Sequence, residues 1–159
     1  MTDINEQVAT KGHVFAVIQY LDGTKKEIDF KNTILRTGRQ ALASSLANSI
    51  GDTFNFYISR ILFGDGGTVN GNPLIVNTER NGLFGITRAS KPVIAVVDPN
   101  VPSQVTFTSV VAFSDANGQV LNEMALQMNT GDFYSMVTFP DLNKTSQMQI
   151  TFNWRLSFV

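Results

Sequence analysis

The chain contains no cysteine. Disulfides and thiolate metal sites are therefore excluded, and nothing in it calls for an oxidising compartment. Histidine occurs once, at position 13, so a Ser-His-Asp triad or a histidine metal site would have to be built on His13 alone. Charge is scarce too. Charged residues make up 16% of the chain, against about 25% in ordinary soluble domains. Lys plus Arg number 12 and Asp plus Glu 13. Without a positive excess there is little counterion release to gain from a phosphate backbone, which argues against nucleic acid as a partner. No apolar run approaches the ~20 residues that a membrane-spanning helix needs, so no membrane partner is expected either. The opening MTDINEQVATKGH is polar and carries acids early, unlike a secretory signal. Synthesis and use in a cytoplasm, or export from one inside an assembly, are expected.

What is present is β pattern. The 159 residues suit one domain. Residues 1–12 show no period and are expected to form a flexible N-terminal arm, with a single β-sandwich domain over 13–159. HVFAVIQYL (13–21) is apolar on both faces, and Asp22-Gly23 then signals a type I′ hairpin into TKKEIDF (24–30). The one helix is expected at about 38–50. Thr37 and Gln40 fit a capping box, Leu42, Ala43, Leu46, Ala47 and Ile50 form its apolar stripe, and Gly51 caps its end. Further strands are expected at 53–63, 91–97, 105–113, 120–128 and 133–139, with a hairpin turn at SDANGQ and Pro140 as a stop. In QMQITFNWRLSFV, Met148, Ile150, Phe152, Trp154, Leu156 and Phe158 alternate with polar residues, as in a strand with one buried face. Arg155 is the one charge on its polar side. These signals add up to a mainly β chain, an antiparallel β-sandwich or flattened barrel of about eight strands with one short α-helix.

Residues 62–73 read LFGDGGTVNGNP. A phosphate loop would need Gly-Lys-Ser/Thr, which is lacking. A dinucleotide loop would need a helix after Gly64, Gly66 and Gly67, and no helical pattern follows them. Calcium would need alternating acids, and Asp65 is the only acid from 53 to 78. The glycines then read as backbone freedom in a structural or interface loop. The long irregular segment after it, to about residue 87, includes the apolar PLIV (73–76) and GLFG (82–85), which either fold back on the core or meet a partner. Asp115, Asp132 and Asp141 sit in or beside turns. Glu123 lies mid-strand, where an ion pair across the sheet with Arg155 or Lys144 is expected rather than a general acid. The aromatic residues fall on inward faces and read as core.

Two stretches resemble a known family. They are NTILRTGRQALASSLANSI…ISRILFGDGGT (32–68) and NEMALQMNTGDFYSMVTFPDLNKTSQMQITFNWRLSF (122–158). Asn-Glu before apolar residues, a strand ending in Phe-Pro, Lys-Thr, and an alternating strand with a late Trp resemble tailed-bacteriophage virion proteins, including head decoration and tail-associated components. Glu123, Phe139, Lys144, Thr145 and Trp154 carry the match. The resemblance implies a capsid decoration (cement) protein without cofactor or catalysis. It would be made in the host bacterial cytoplasm and mounted on the virion surface. Its partners would be the major capsid protein and copies of itself, with a trimer favoured. Gly64, Asp65, Gly66, Gly67, Asn70, Leu74, Ile75, Leu83 and Phe84 are the expected interface, with Thr37, Gln40, Glu123, Lys144, Trp154 and Arg155 as structural residues. A tail, neck or baseplate connector or a fibre-attachment protein is the alternative, and a small-ligand or carbohydrate-binding module a more distant one.

Overall fold

A computed structural model describes residues 9–47 and 56–159. Two five-stranded antiparallel sheets lie face to face. The first runs in the order β2 (Lys25–Lys31), β1 (Thr10–Tyr20), β12 (Met148–Phe158), β9 (Gln104–Val111), β8 (Ile94–Val97). The second runs β3 (Thr33–Ile34), β11 (Phe133–Asn143), β10 (Val120–Met128), β4 (Ile58–Gly64), β7 (Thr87–Pro92). A short hairpin, β5 (Thr68–Val69) and β6 (Asn72–Pro73), stands apart, and α1 (Arg36–Ala47) packs on β11. The mainly β sandwich with one helix is the expected class.

Alternation explains the core. Val14, Ala16 and Ile18 of β1 and Ile150, Phe152, Trp154 and Leu156 of β12 face Ile61, Phe63, Met124, Leu126, Val137 and Phe139 of the second sheet. Phe63 and Phe152 meet with ring centroids 4.8 Å apart. Burying one such side chain stabilises by about 1.5–3 kcal/mol. The two sheets differ on their outer faces. That of the first is polar, with Thr108 donating to Asn153 Oδ1 at 2.9 Å. That of the second is covered: Leu35, Ala125, Phe133 and Met136 form a second cluster under Leu62, Val76, Leu83 and Phe84. The apolar parts of the long irregular segment therefore fold back onto the body.

Several expectations are corrected. Thr10–Gly12 already pair with Phe158–Leu156, so the strand begins inside the expected arm. At the first hairpin Gly23 takes φ +86° while Asp22 does not have positive φ. The connection is a three-residue loop, Leu21–Gly23, closed by Gly23 N to Tyr20 O at 3.0 Å, rather than a type I′ turn. The helix begins at Arg36, so Thr37 lies inside its first turn instead of capping it. Its hydroxyl donates to Phe133 O at 2.5 Å, Leu35 O accepts the first helical bond from Arg39 N, and Gln40 is exposed. The helix rests on β11 through Gly38 and Ala41, because a Cβ at Gly38 would stand 2.4 Å from Tyr134 O. Leu46 of the expected stripe is 84% exposed. Ile50, Gly51 and Phe54 lie outside the described residues. On β4 the sandwich core takes Ile61 and Phe63, with Ile58 packed against it, while Leu62 faces the second cluster. Residues 91–97 split at Val93 and pass from one sheet to the other, and the SDANGQ turn likewise joins the two sheets instead of making a hairpin. Strand β11 continues through Pro140, beside a register shift opposite Asn122 that tolerates the missing N–H.

Candidate functional site

The glycine-rich stretch leaves the end of β4, and its position is set by two adjacent side chains of β10. Glu123 is fully buried. Its Oε1 accepts from Gly66 N at 2.9 Å and Gly85 N at 2.8 Å, and its Oε2 from Phe84 N at 2.7 Å. Asn122 Oδ1 accepts from Gly67 N at 2.7 Å, while its Nδ2 donates to Asp65 O at 3.2 Å, Thr68 Oγ1 at 3.0 Å and Asp141 Oδ1 at 3.0 Å. In a regular strand neighbouring side chains point to opposite faces. The register shift between Leu121 and Glu123 lies at this point, and both side chains end on the same loop. A buried carboxylate is tolerated because charge-assisted bonds replace its hydration.

The expected ion pair of Glu123 with Arg155 or Lys144 is not formed, since backbone amides occupy the carboxylate. Arg155 lies on the polar outer face of the first sheet, with His13, Asp29 and Asn153 around a shallow cavity. There His13 Nε2 is 3.0 Å from Asp29 Oδ1. Lys144 is buried and donates to Asn117 Oδ1 at 3.0 Å and to Thr145 O at 2.8 Å, which pins the connection between β9 and β10. Burial lowers its pKa, and the nearby Asp115 charge partly restores it. Trp154 sits fully buried in the core, where its indole N–H has no hydrogen-bond partner.

The glycines serve close approach more than freedom of φ. A Cβ at Gly66 would lie 2.2 Å from Gly85 N, and one at Gly67 would lie 2.2 Å from Asn122 O. Only at the hairpin tip is positive φ needed: Asn70 (φ 50°) and Gly71 (φ 77°) form the type I′ turn between β5 and β6. Asp65 holds the far side, accepting from Ile86 N at 2.9 Å and from Arg88 Nε at 2.6 Å. Desolvation, the largest single influence on its pKa, acts upward. The Ile86 amide and the Arg88 bond and charge outweigh it and leave the carboxyl below its ordinary range. Asp141 is likewise lowered, by the Thr68 hydroxyl first and then by Asn122, against a smaller desolvation effect.

The rest of the segment is fastened as well. Arg80 donates to Gly82 O and Leu83 O, each at 3.1 Å, and its guanidinium lies 3.6 Å from the centroid of the Phe84 ring. Asn81 bridges Asp132 Oδ1 and Phe133 N, and Thr138 Oγ1 donates to Leu74 O at 2.5 Å. Of the residues expected at an interface, Gly64 and Gly67 are buried. Asp65, Gly66, Leu74, Leu83 and Phe84 are half-buried, and Asn70 and Ile75 are exposed. Exposed apolar residues missing from that set are Val69, 56% exposed, and Ile86, 62%, beside Ile75 at 93%. Their position after a glycine or beside a threonine in an apolar-poor stretch was the only signal for them.

The result is a loop clamped from below by Asn122 and Glu123, with polar backbone and a few isolated apolar side chains on its exposed side. Among the described residues no three His, Asp or Glu side chains gather as a metal site would require. No protein-family model, curated protein or solved structure matches the chain.

Proposed function

We propose that the protein is a structural component of a tailed-phage virion, of the capsid decoration type, acting by binding rather than catalysis. One observation carries this reading. The two stretches that bear the resemblance, FGDGG and Asn-Glu, are the two halves of a single clamp, in which Glu123 and Asn122 hold Gly66 and Gly67. A motif of this kind has a mechanical purpose. It holds a surface loop in one shape before a partner arrives, so that little ordering entropy is lost on binding. The exposed Val69, Ile75 and Ile86 on that segment are suited to meet a shell of major capsid subunits. A scarcely charged surface also loses less on desolvation there. The protein then sits on the outside of the head, with copies of itself and the capsid protein as neighbours.

The test is to mix purified protein with expanded heads that lack it, measure co-sedimentation and head stability, and locate the chain by cryo-EM. Binding at junctions between capsid subunits is expected, and Ile75→Asp should weaken it at least tenfold without lowering the melting temperature. Failure to bind heads, or density on the tail, neck or baseplate, overturns the assignment.

A further inference from the structure

Among the described residues the sandwich has four edge strands, and three are blunted. Five of the seven residues of β2 are charged, namely Lys25, Lys26, Glu27, Asp29 and Lys31. Strand β3 has two residues. Strand β7 carries Arg88 and Lys91 and ends on Pro92. Charge, brevity and proline are the usual means of keeping a sheet edge from pairing with another chain. Strand β8 is short, at four residues, but holds neither charge nor proline. Its residues are Ile94, Ala95, Val96 and Val97, all exposed, with Ile94 at 71%, Val96 at 57% and Val97 at 58%. A row of uncharged apolar residues left open on an edge is a surface made to be covered.

The sequence of the edge indicates what covers it. Pro92 has no N–H to offer a ladder, and at the other end the Asp98 carboxylate accepts from Asn100 N and Val101 N and turns the chain away. The segment free to pair is therefore Val93-Ile94-Ala95-Val96-Val97. Read antiparallel against itself about Ala95, it sets Val93 opposite Val97, Ile94 opposite Val96, and Ala95 opposite Ala95. The faces agree. Ala95 and Val97 lie beside the inward Phe107 and Val105 of β9, while Ile94 and Val96 lie beside the outward Thr108 and Thr106. A two-fold axis normal to the sheet keeps each of these pairs on one side, joins the two first sheets into a continuous ten-stranded sheet, and brings no like charges together. An apolar groove lined by Ala95, Leu42, Tyr57 and Phe158 opens along the inner side of the same edge. It would extend the contact beyond the five paired residues.

We infer that β8 pairs antiparallel with β8 of a second copy, making the free protein a two-fold dimer. This goes beyond the virion reading and does not depend on it. It departs from the trimer that the resemblance favours. The test uses isolated protein at tens of micromolar, so that a failure to bind heads leaves its result untouched. Sedimentation or light scattering should give about twice the 17.5 kDa of the chain, and Val96→Lys, at an exposed position, should give a folded monomer whose melting temperature, unlike that of the wild type, does not change with protein concentration. The cysteine-free background allows a stricter check. Directly opposed residues have Cα atoms about 4.5–5.5 Å apart, within disulfide range, whereas residues offset by two positions lie beyond ~7 Å. Ala95→Cys should therefore form a disulfide-linked dimer on oxidation, Ile94→Cys should not, and the Ile94→Cys, Val96→Cys double variant should. A monomeric or trimeric wild type, or equal cross-linking of the Ile94→Cys and Ala95→Cys variants, overturns the inference.

Discussion

The two sheets are built from similar residues yet are held in different ways. The first has a dry face and a wet face, and on it β12 buries Ile150, Phe152, Trp154 and Leu156 while Arg155 stays exposed. The second is covered on both sides, so that Leu121 to Leu126 of β10 are buried without a break. Its outer cover is the largely irregular segment after β4, which includes the small β5–β6 hairpin, and that cover is attached by polar bonds to Asn122 and Glu123. A substitution on the outer face of the first sheet should therefore be nearly silent, whereas one on the outer side of the second should release a whole layer.

The largest effect is expected for Glu123→Ala. It takes the shared acceptor from the part-buried Gly66, Phe84 and Gly85 N–H groups, so a loss of about 3–4 kcal/mol is expected in urea unfolding. That is a large share of a typical 5–15 kcal/mol. Arg155→Ala on the wet face should stay within about 0.5 kcal/mol. If the two variants proved equally mild, the clamp would not be what holds the cover. Gly67→Ala comes next. Its Cβ would overlap the Asn122 carbonyl, and a backbone neighbour cannot swing aside, so a loss of about 2–3 kcal/mol is expected in the same assay.

The smallest effect is on pH. Asp65 and Asp141, both on the clamped loop or its partners, have folded pKa values below the ordinary 3.8. Their contribution is complete above that value and is lost as pH falls through the lower folded values. Urea midpoints should then be flat from neutrality down to about pH 5 and decline below about pH 4. Asp65→Asn should lower the neutral plateau and shallow the acid decline. An unchanged acid limb would mean that Asp65 carries no such linkage.

How far the sequence could be read follows from the same contrast. Where one face is wet, hydrophobicity has period two, and β12 was legible to the residue. Where both faces are covered, as in β4 and β10, alternation disappears and says nothing about which side meets the core. Leu62 and Phe63 therefore could not be sorted by pattern. The switch of residues 91–97 between sheets at Val93 leaves no mark in composition. The helix was visible from its spacing, but the contact face was Gly38 and Ala41 rather than the leucines, because close approach to Tyr134 requires the smallest residues. The glycine loop stood out as a cluster, yet its stiffness was not legible. Glycine spacing is the same for a mobile loop and for one pressed against a strand, and the partner Glu123 lies 57 residues away from Gly66. The ion pair expected of Glu123 failed for a related reason: sequence displays charged side chains but not the backbone amides that can replace them.

Native-state hydrogen exchange at Gly66, Gly67, Phe84 and Gly85 tests the clamp most directly. All four amides donate to Asn122 or Glu123, so they should exchange as slowly as core amides of β10 and speed up together in the Glu123→Ala variant. Exchange at the rate of an open surface loop in the wild-type protein would contradict a loop held in one shape by the clamp.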